Sequence, residues 1–222
     1  MELYFDQELA QLKEKLLLMS SLTEQNVALA IRSLVERNDM AAAKVERDDD
    51  LLDKLEIEID QLGIRLLALR QPKASDLRLI TTAMKITTDL ERMGDRAVTI
   101  ARRAVELNKE PELKPLVDIP RMAEICQGMI RDTLDAFVYQ KTDLARQMVL
   151  RDKEVDQLNR KVQSDLTEMM LANSGTIVRA LKLMRVAQSL ERIGDHTANI
   201  AEEIVYLYEA RDIRHHQETL TT

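Results

Sequence analysis

The sequence contains no tryptophan, only 3% aromatic residues, and just five glycines and four prolines in 222 residues. So little glycine and proline cannot supply the turns of a β-rich fold or a glycine-lined loop for nucleotide phosphates. The scarcity of rings leaves few platforms on which bases could stack. Positive charge is not in excess either, because 32 Lys and Arg are interspersed with 39 Asp and Glu for a formal net charge of -7. Nucleic acid is therefore not an expected partner. The single cysteine, Cys126, cannot form an internal disulfide and fits a reducing compartment. Its neighbours Met122, Met129 and Ile130 mark it as a buried packing residue rather than a reactive thiol. The opening MELYFDQELAQLKEK lacks a basic region followed by an apolar core, so no signal peptide is expected. No uncharged apolar stretch approaches the ~18 residues that span a bilayer. These absences together give a cytoplasmic protein without membrane insertion.

What is present is helical periodicity. Leu9, Leu12, Leu16 and Met19 recur at spacings of three and four, as do Leu52, Leu55, Ile59, Leu62, Leu66 and Leu69. A third stripe runs through Ala83, Ile86, Leu90, Met93, Ala97, Ile100, Ala104 and Leu107. Such spacing lines one face of an α-helix, which must be buried against other helices. Asn38 with Asp39, and Thr142 with Asp143, read as caps that open the second and fifth helices. Residues 72–76 separate helices two and three. NSG at 173–175 separates five and six, with Gly175 free to take a left-handed conformation. Pro111, Pro115 and Pro120 fall too close together for a helix to run through them, and they mark the middle of the chain.

The second half repeats the first. LERMGD at 90–95 returns as LERIGD at 190–195, and residues 89–107 align without gaps on 189–207. The matching stripe is Leu183, Val186, Leu190, Ile193, Thr197, Ile200, Ile204 and Leu207. The fold expected is all-α: two tandem, pseudo-symmetric three-helix bundles. The first bundle spans 1–108, a proline-marked joint 109–118, the second bundle 119–210, and a polar tail 211–222.

Shared apolar positions need no special explanation, but Glu91, Gly94 and Asp95, with their repeats Glu191, Gly194 and Asp195, do. Glycine in a helix interior costs ~1 kcal/mol relative to alanine. Its use at two equivalent positions points to close helix packing, to room for a ligand beside the carboxylates, or to both. Glu91 and Asp95 stand at i and i+4, where like charges repel. Arg92 is the lone cation nearby on that helix, as Arg192 is for Glu191 and Asp195. One helix earlier, Asp49 and Asp53 form a similar pair, and Asp152 and Asp156 repeat it. An antiparallel hairpin would bring two pairs face to face in each half. Asp156 has an ordinary i+4 ion-pair partner in Arg160. Four converging carboxylates suit hard cations such as Mg²⁺, Ca²⁺, Mn²⁺ or iron.

The duplicated Glu-Arg-x-Gly-Asp, the partner acidic pairs, the two three-helix halves and the opening Phe5-Asp-x-Glu-Leu-x-x-Leu together resemble the PhoU family of phosphate transport system regulators. The resemblance covers the chain up to about Ala210. It implies a cytoplasmic, commonly homodimeric accessory protein of the phosphate ABC transporter. Such a protein would link the transporter's ATPase subunit to a membrane sensor histidine kinase and repress the phosphate-starvation regulon when phosphate is plentiful. It also implies iron or zinc clusters at Asp49, Asp53, Glu91 and Asp95, and at Asp152, Asp156, Glu191 and Asp195. Where the second half has His196 and Asn199, the first has Arg96 and Thr99. A cationic Arg96 beside the first site leads us to expect tighter metal binding at 191–195.

Two other readings remain open. A carboxylate-bridged metal-dependent helical-bundle enzyme usually takes Glu-x-x-His on two helices. Of the three histidines, His196 follows Ile193 at that spacing, and His215 and His216 lie in the tail. A pure scaffold would use the acidic pairs only to hold Arg or Lys from neighbouring helices. No nucleophile with a paired base and no phosphate loop occurs, so stoichiometric signalling rather than turnover is expected.

Overall fold

A computed structural model describes residues 2–69, 72–113 and 117–214. Pro115, His215 and His216, and the side chain of Leu69, lie outside the described residues. Six long helices follow one another: α1 (Glu2–Val35), α2 (Asp39–Leu69), α3 (Ala74–Asn108), α4 (Asp118–Tyr139), α5 (Thr142–Ala172) and α6 (Ile177–Glu209). No strand occurs among the described residues. The stripes read from the sequence are the buried faces. Leu12, Met19, Leu52, Ile59 and Leu66 in the first two helices are fully or almost fully enclosed, as are Leu90, Met93, Leu190 and Ile193 in the third and sixth. Cys126 is also enclosed, donates to the Leu190 carbonyl at 3.4 Å, and has its thiol pushed up to about 12 by burial, so it is inert at neutral pH.

Helices α1, α2 and α3 pack on one another, and α4, α5 and α6 do the same. The halves are not separate bodies: α3 lies against α6 about as extensively as against its own neighbours, and α1 also touches α4. A single hydrophobic cluster therefore runs through the whole chain. Polar pairs cross the same seam, with His196 Nδ1 2.9 Å from Asp89 and Lys85 Nζ 3.0 Å from Glu203. The contacts run antiparallel, and the last helix of each half forms the common wall.

Helix ends partly follow the sequence reading. Asn38 caps α2 by accepting from the Ala41 N–H at 3.2 Å. Thr142 does not cap α5: the helix begins at Thr142 itself, Lys141 holds the cap position without a side-chain bond, and the Thr142 hydroxyl helps stabilise the Glu209 carboxylate instead. Pro120 sits inside the first turn of α4, where a missing N–H disturbs no helical bond. Gly175 is not left-handed. It lies in a 3-10 turn, Ser174–Thr176, in which the Asn173 side chain accepts from the Gly175 N–H at 2.9 Å. The left-handed positions fall on Arg37, Gln140 and Ala210. Arg37 compensates by donating to the carbonyls of Asn108 at 2.5 Å and Glu110 at 2.7 Å, which ties the start of α2 to the end of α3.

Candidate functional site

The members of each acidic pair stand one helical turn apart, just beside the apolar stripe rather than opposite it, so the pair borders the core. In the first half α2 carries Asp49 and Asp53 past Glu91 and Asp95 on α3. The side chain that glycine lacks makes this approach possible. A Cβ on Gly94 would lie 2.6 Å from Leu52 Cδ1 and 3.3 Å from Asp49 Oδ1. In the second half α5 and α6 repeat the arrangement with the carboxylate closer, and a Cβ on Gly194 would lie 2.7 Å from Asp152 Oδ1 itself. The close-packing explanation for the helix glycines therefore holds, since the helices close on each other with a carboxylate at the point of contact.

The charges in each half act on one another. Burial first, then Asp53 and Asp95, raise Asp49 to about 6. Glu91 is raised by burial, then by Asp95, Glu56, Asp53 and Asp49. Asp152 is raised to about 7 by burial, then by Asp195, Asp156 and Glu191. Burial followed by Asp195 raises Glu191 against the opposing pull of Arg192. All eight sequence-derived residues thus fall into two clusters, one per half. Asp53 and Asp95 are exposed and the other six half-buried.

The clusters differ in their cations. Arg160 lies 3.6 Å from Asp156, as its spacing implied. Arg192 reaches Asp195 at 3.0 Å and Glu191 at 3.5 Å. In the first half the cation that steadies Asp49 is Arg102, which itself pairs with Glu46 at 2.7 Å. Arg96, which sequence reasoning set beside the first cluster, lines a cleft between α3 and α6, while its counterpart His196 holds Asp89 and lies among the buried residues.

A fifth carboxylate joins the first cluster. Glu56 is raised by burial, then by Asp60 and Asp53, and in turn raises Glu91. The signal was an acidic row, Asp49, Asp53, Glu56 and Asp60, at helical spacing. Comparison between the repeats hides it, because the equivalent positions hold the amides Asn159 and Gln163. Gln163 donates to Asn159 at 3.3 Å.

Among the described residues, no three His, Cys, Asp or Glu side chains converge closely enough as placed to hold an ion. The chemistry of the second cluster nevertheless fits a hard cation. Asp152 Oδ1 is buried with no hydrogen-bond donor, an expensive state for a carboxylate oxygen, and Glu191 Oε2, also without a hydrogen bond, has only the Arg192 guanidinium at 3.5 Å. All the donors are oxygens, which suits Mg²⁺, Ca²⁺, Mn²⁺ or iron better than a soft ion.

The PhoU domain matches residues 16–104 and 119–204, so each half carries one copy. Among characterised proteins, the chain is 39% identical over 212 residues to the phosphate-specific transport system accessory protein PhoU homolog of Pseudomonas aeruginosa, covering 95% of this chain and 88% of that protein. It is 40% identical over 208 residues to the homolog of Aquifex aeolicus, covering 94% of each. Among solved structures, it superposes on the crystal structure of PhoU from Pseudomonas aeruginosa with a TM-score of 0.91 and 38% identity, over 93% of this chain and 100% of that one. The phosphate transport system regulatory protein PhoU from Streptococcus pneumoniae gives a TM-score of 0.87 and 28% identity, over 94% of this chain and 98% of that one.

Proposed function

Since the chain belongs to the PhoU family, we propose that it is an accessory regulator of phosphate uptake that works by stoichiometric contact, not by turnover. It joins the ATPase subunit of the phosphate ABC transporter to a sensor histidine kinase and represses the phosphate regulon when phosphate is plentiful. The observation that carries this reading is similarity along nearly the full length to relatives named as phosphate transport accessory proteins. No described helix is long and apolar enough to cross a membrane, which is compatible with a cytoplasmic protein held at the membrane through its partners. The long helical faces offer surfaces for partner helices and for a second copy in a homodimer.

The two carboxylate clusters are the proposed metal sites. Asp49, Asp53, Glu91 and Asp95 would hold one, with Glu56 at its edge, and Asp152, Asp156, Glu191 and Asp195 the other. The family resemblance adds iron and zinc to the hard cations that the oxygen donors favour. A bound cation would neutralise the mutual repulsion and fix α2 against α3 and α5 against α6. That would set the shape of the surface offered to partners. The unsatisfied oxygens of Asp152 and Glu191 favour tighter binding in the second half. Equal loss of metal affinity in Asp95→Asn and Asp195→Asn, measured by calorimetry, overturns that order.

The adaptor reading is tested by affinity capture of the tagged protein from phosphate-replete cells, with solubilised membranes included and mass spectrometry as the readout. The expected outcome is recovery of both the transporter ATPase and a sensor kinase. Recovery of neither removes the reading.

A further inference from the structure

The Arg of each repeated hexapeptide also faces into a cleft. The structure brings Arg92 and Arg192 to the same place, the crossing of α3 and α6. A cleft of ≈ 590 Å³ opens there, walled by Arg92, Arg96, Arg185 and Arg192 and bordered by His196. Four guanidiniums in one concavity repel one another, and a cluster of this kind is stabilised by an anion. The protein supplies only part of that neutralisation. Arg192 is engaged by Asp195, but Arg92, Arg96 and Arg185 form no ion pair among the described residues. Arg96 Nε is buried without a hydrogen-bond partner, and Arg185 donates to the neutral Gln188 at 2.9 Å. Glu91 and Asp95 also line the cleft, beyond ion-pair distance of these three arginines.

We propose that this cleft between the two halves binds a small tetrahedral oxyanion of the class of inorganic phosphate. Guanidinium donors come as planar forks that match two oxygens of such an ion at once. His196 closes the border of the cleft, its ring held by the Asp89 carboxylate 2.9 Å from Nδ1. Because the arginines come from α3 and α6, an ion here bridges the two repeats. The inference depends neither on metal at the acidic pairs nor on the identity of the protein partners.

The test is calorimetric titration of the chelator-treated full-length protein with inorganic phosphate at about pH 8, and phosphate is expected to bind. Arg92→Gln with Arg185→Gln, both exposed positions whose replacement leaves the helices intact by circular dichroism, is expected to weaken phosphate by more than about tenfold. Asp95→Asn removes a like charge from the wall and is expected to tighten it severalfold. Absence of phosphate binding, or an affinity unchanged in the double arginine variant, overturns the site. Because metal and partners are absent from the cell, failure here leaves the adaptor reading standing, and failure of the capture experiment leaves this one standing.

Discussion

Asp152 concentrates the electrostatic cost of the second cluster. Its carboxyl is raised to about 7 and Asp49 to about 6, while both titrate near 4 in an unfolded chain. Between those limits the folded state binds more protons than the unfolded one. The stabilisation is therefore complete below about pH 4 and is lost as pH rises through 6 and 7. The metal-free protein is expected to melt at a higher temperature at mildly acidic pH than at pH about 8, with the gap closing when a divalent cation is added. Asp152→Asn is expected to stabilise the metal-free protein at alkaline pH by about 1 to 3 kcal/mol, the range for an unsatisfied buried polar group, while weakening metal binding. Thermal melts of both proteins across pH check this, and a variant that destabilises the protein at every pH overturns it. The eight acidic residues were legible in the sequence because a carboxylate pair written at matching positions in both repeats stands out from an acidic background. Glu56 was not, because its counterpart is an amide. The partner of His196 was illegible as well, since a contact across 107 residues leaves no local trace.

At the scale of the element, the apolar stripes gave the helices and their buried faces, because a period of 3.6 has one solution in a bundle. The ends were less legible. Several residues can satisfy the same orphan N–H or carbonyl groups, and tertiary bonds choose among them. The Thr142 hydroxyl serves Glu209 on α6, and Asn173 rather than Gly175 organises the turn before it. Helix α6 ends on Ala210 at φ 54, a left-handed conformation that disfavours any residue with a Cβ. Ala210→Gly is expected to stabilise the protein by roughly 0.5 to 1 kcal/mol, measured by urea denaturation. The same exchange at Arg37, also left-handed, is expected to destabilise it, because it removes the bonds to Asn108 and Glu110.

For the whole molecule, the continuous core predicts that the two repeats unfold together. Three of the four tyrosines, Tyr139, Tyr206 and Tyr208, belong to the second half, while helical ellipticity reports on both halves. Tyrosine fluorescence and circular dichroism are expected to give coincident denaturation curves. A tyrosine transition displaced from the helical one would show that the halves are independent. That two bundles exist was readable from the repeat, but their packing through α3 and α6 was not. The faces that meet there are apolar stripes like any other, and nothing in their spacing says which stripe they will cover.

The pair formed by Asp89 and His196 has one more consequence. In an antiparallel crossing of two equivalent helices every contact has a twin, and the twin of this one joins Arg96 with Ser189, residues that meet in the arginine cleft. Had the three-helix unit remained a separate gene assembling as a symmetric dimer, any replacement at these positions would have struck both places together. Within one chain the two places vary independently, and here one is a clasp and its mirror image an opening.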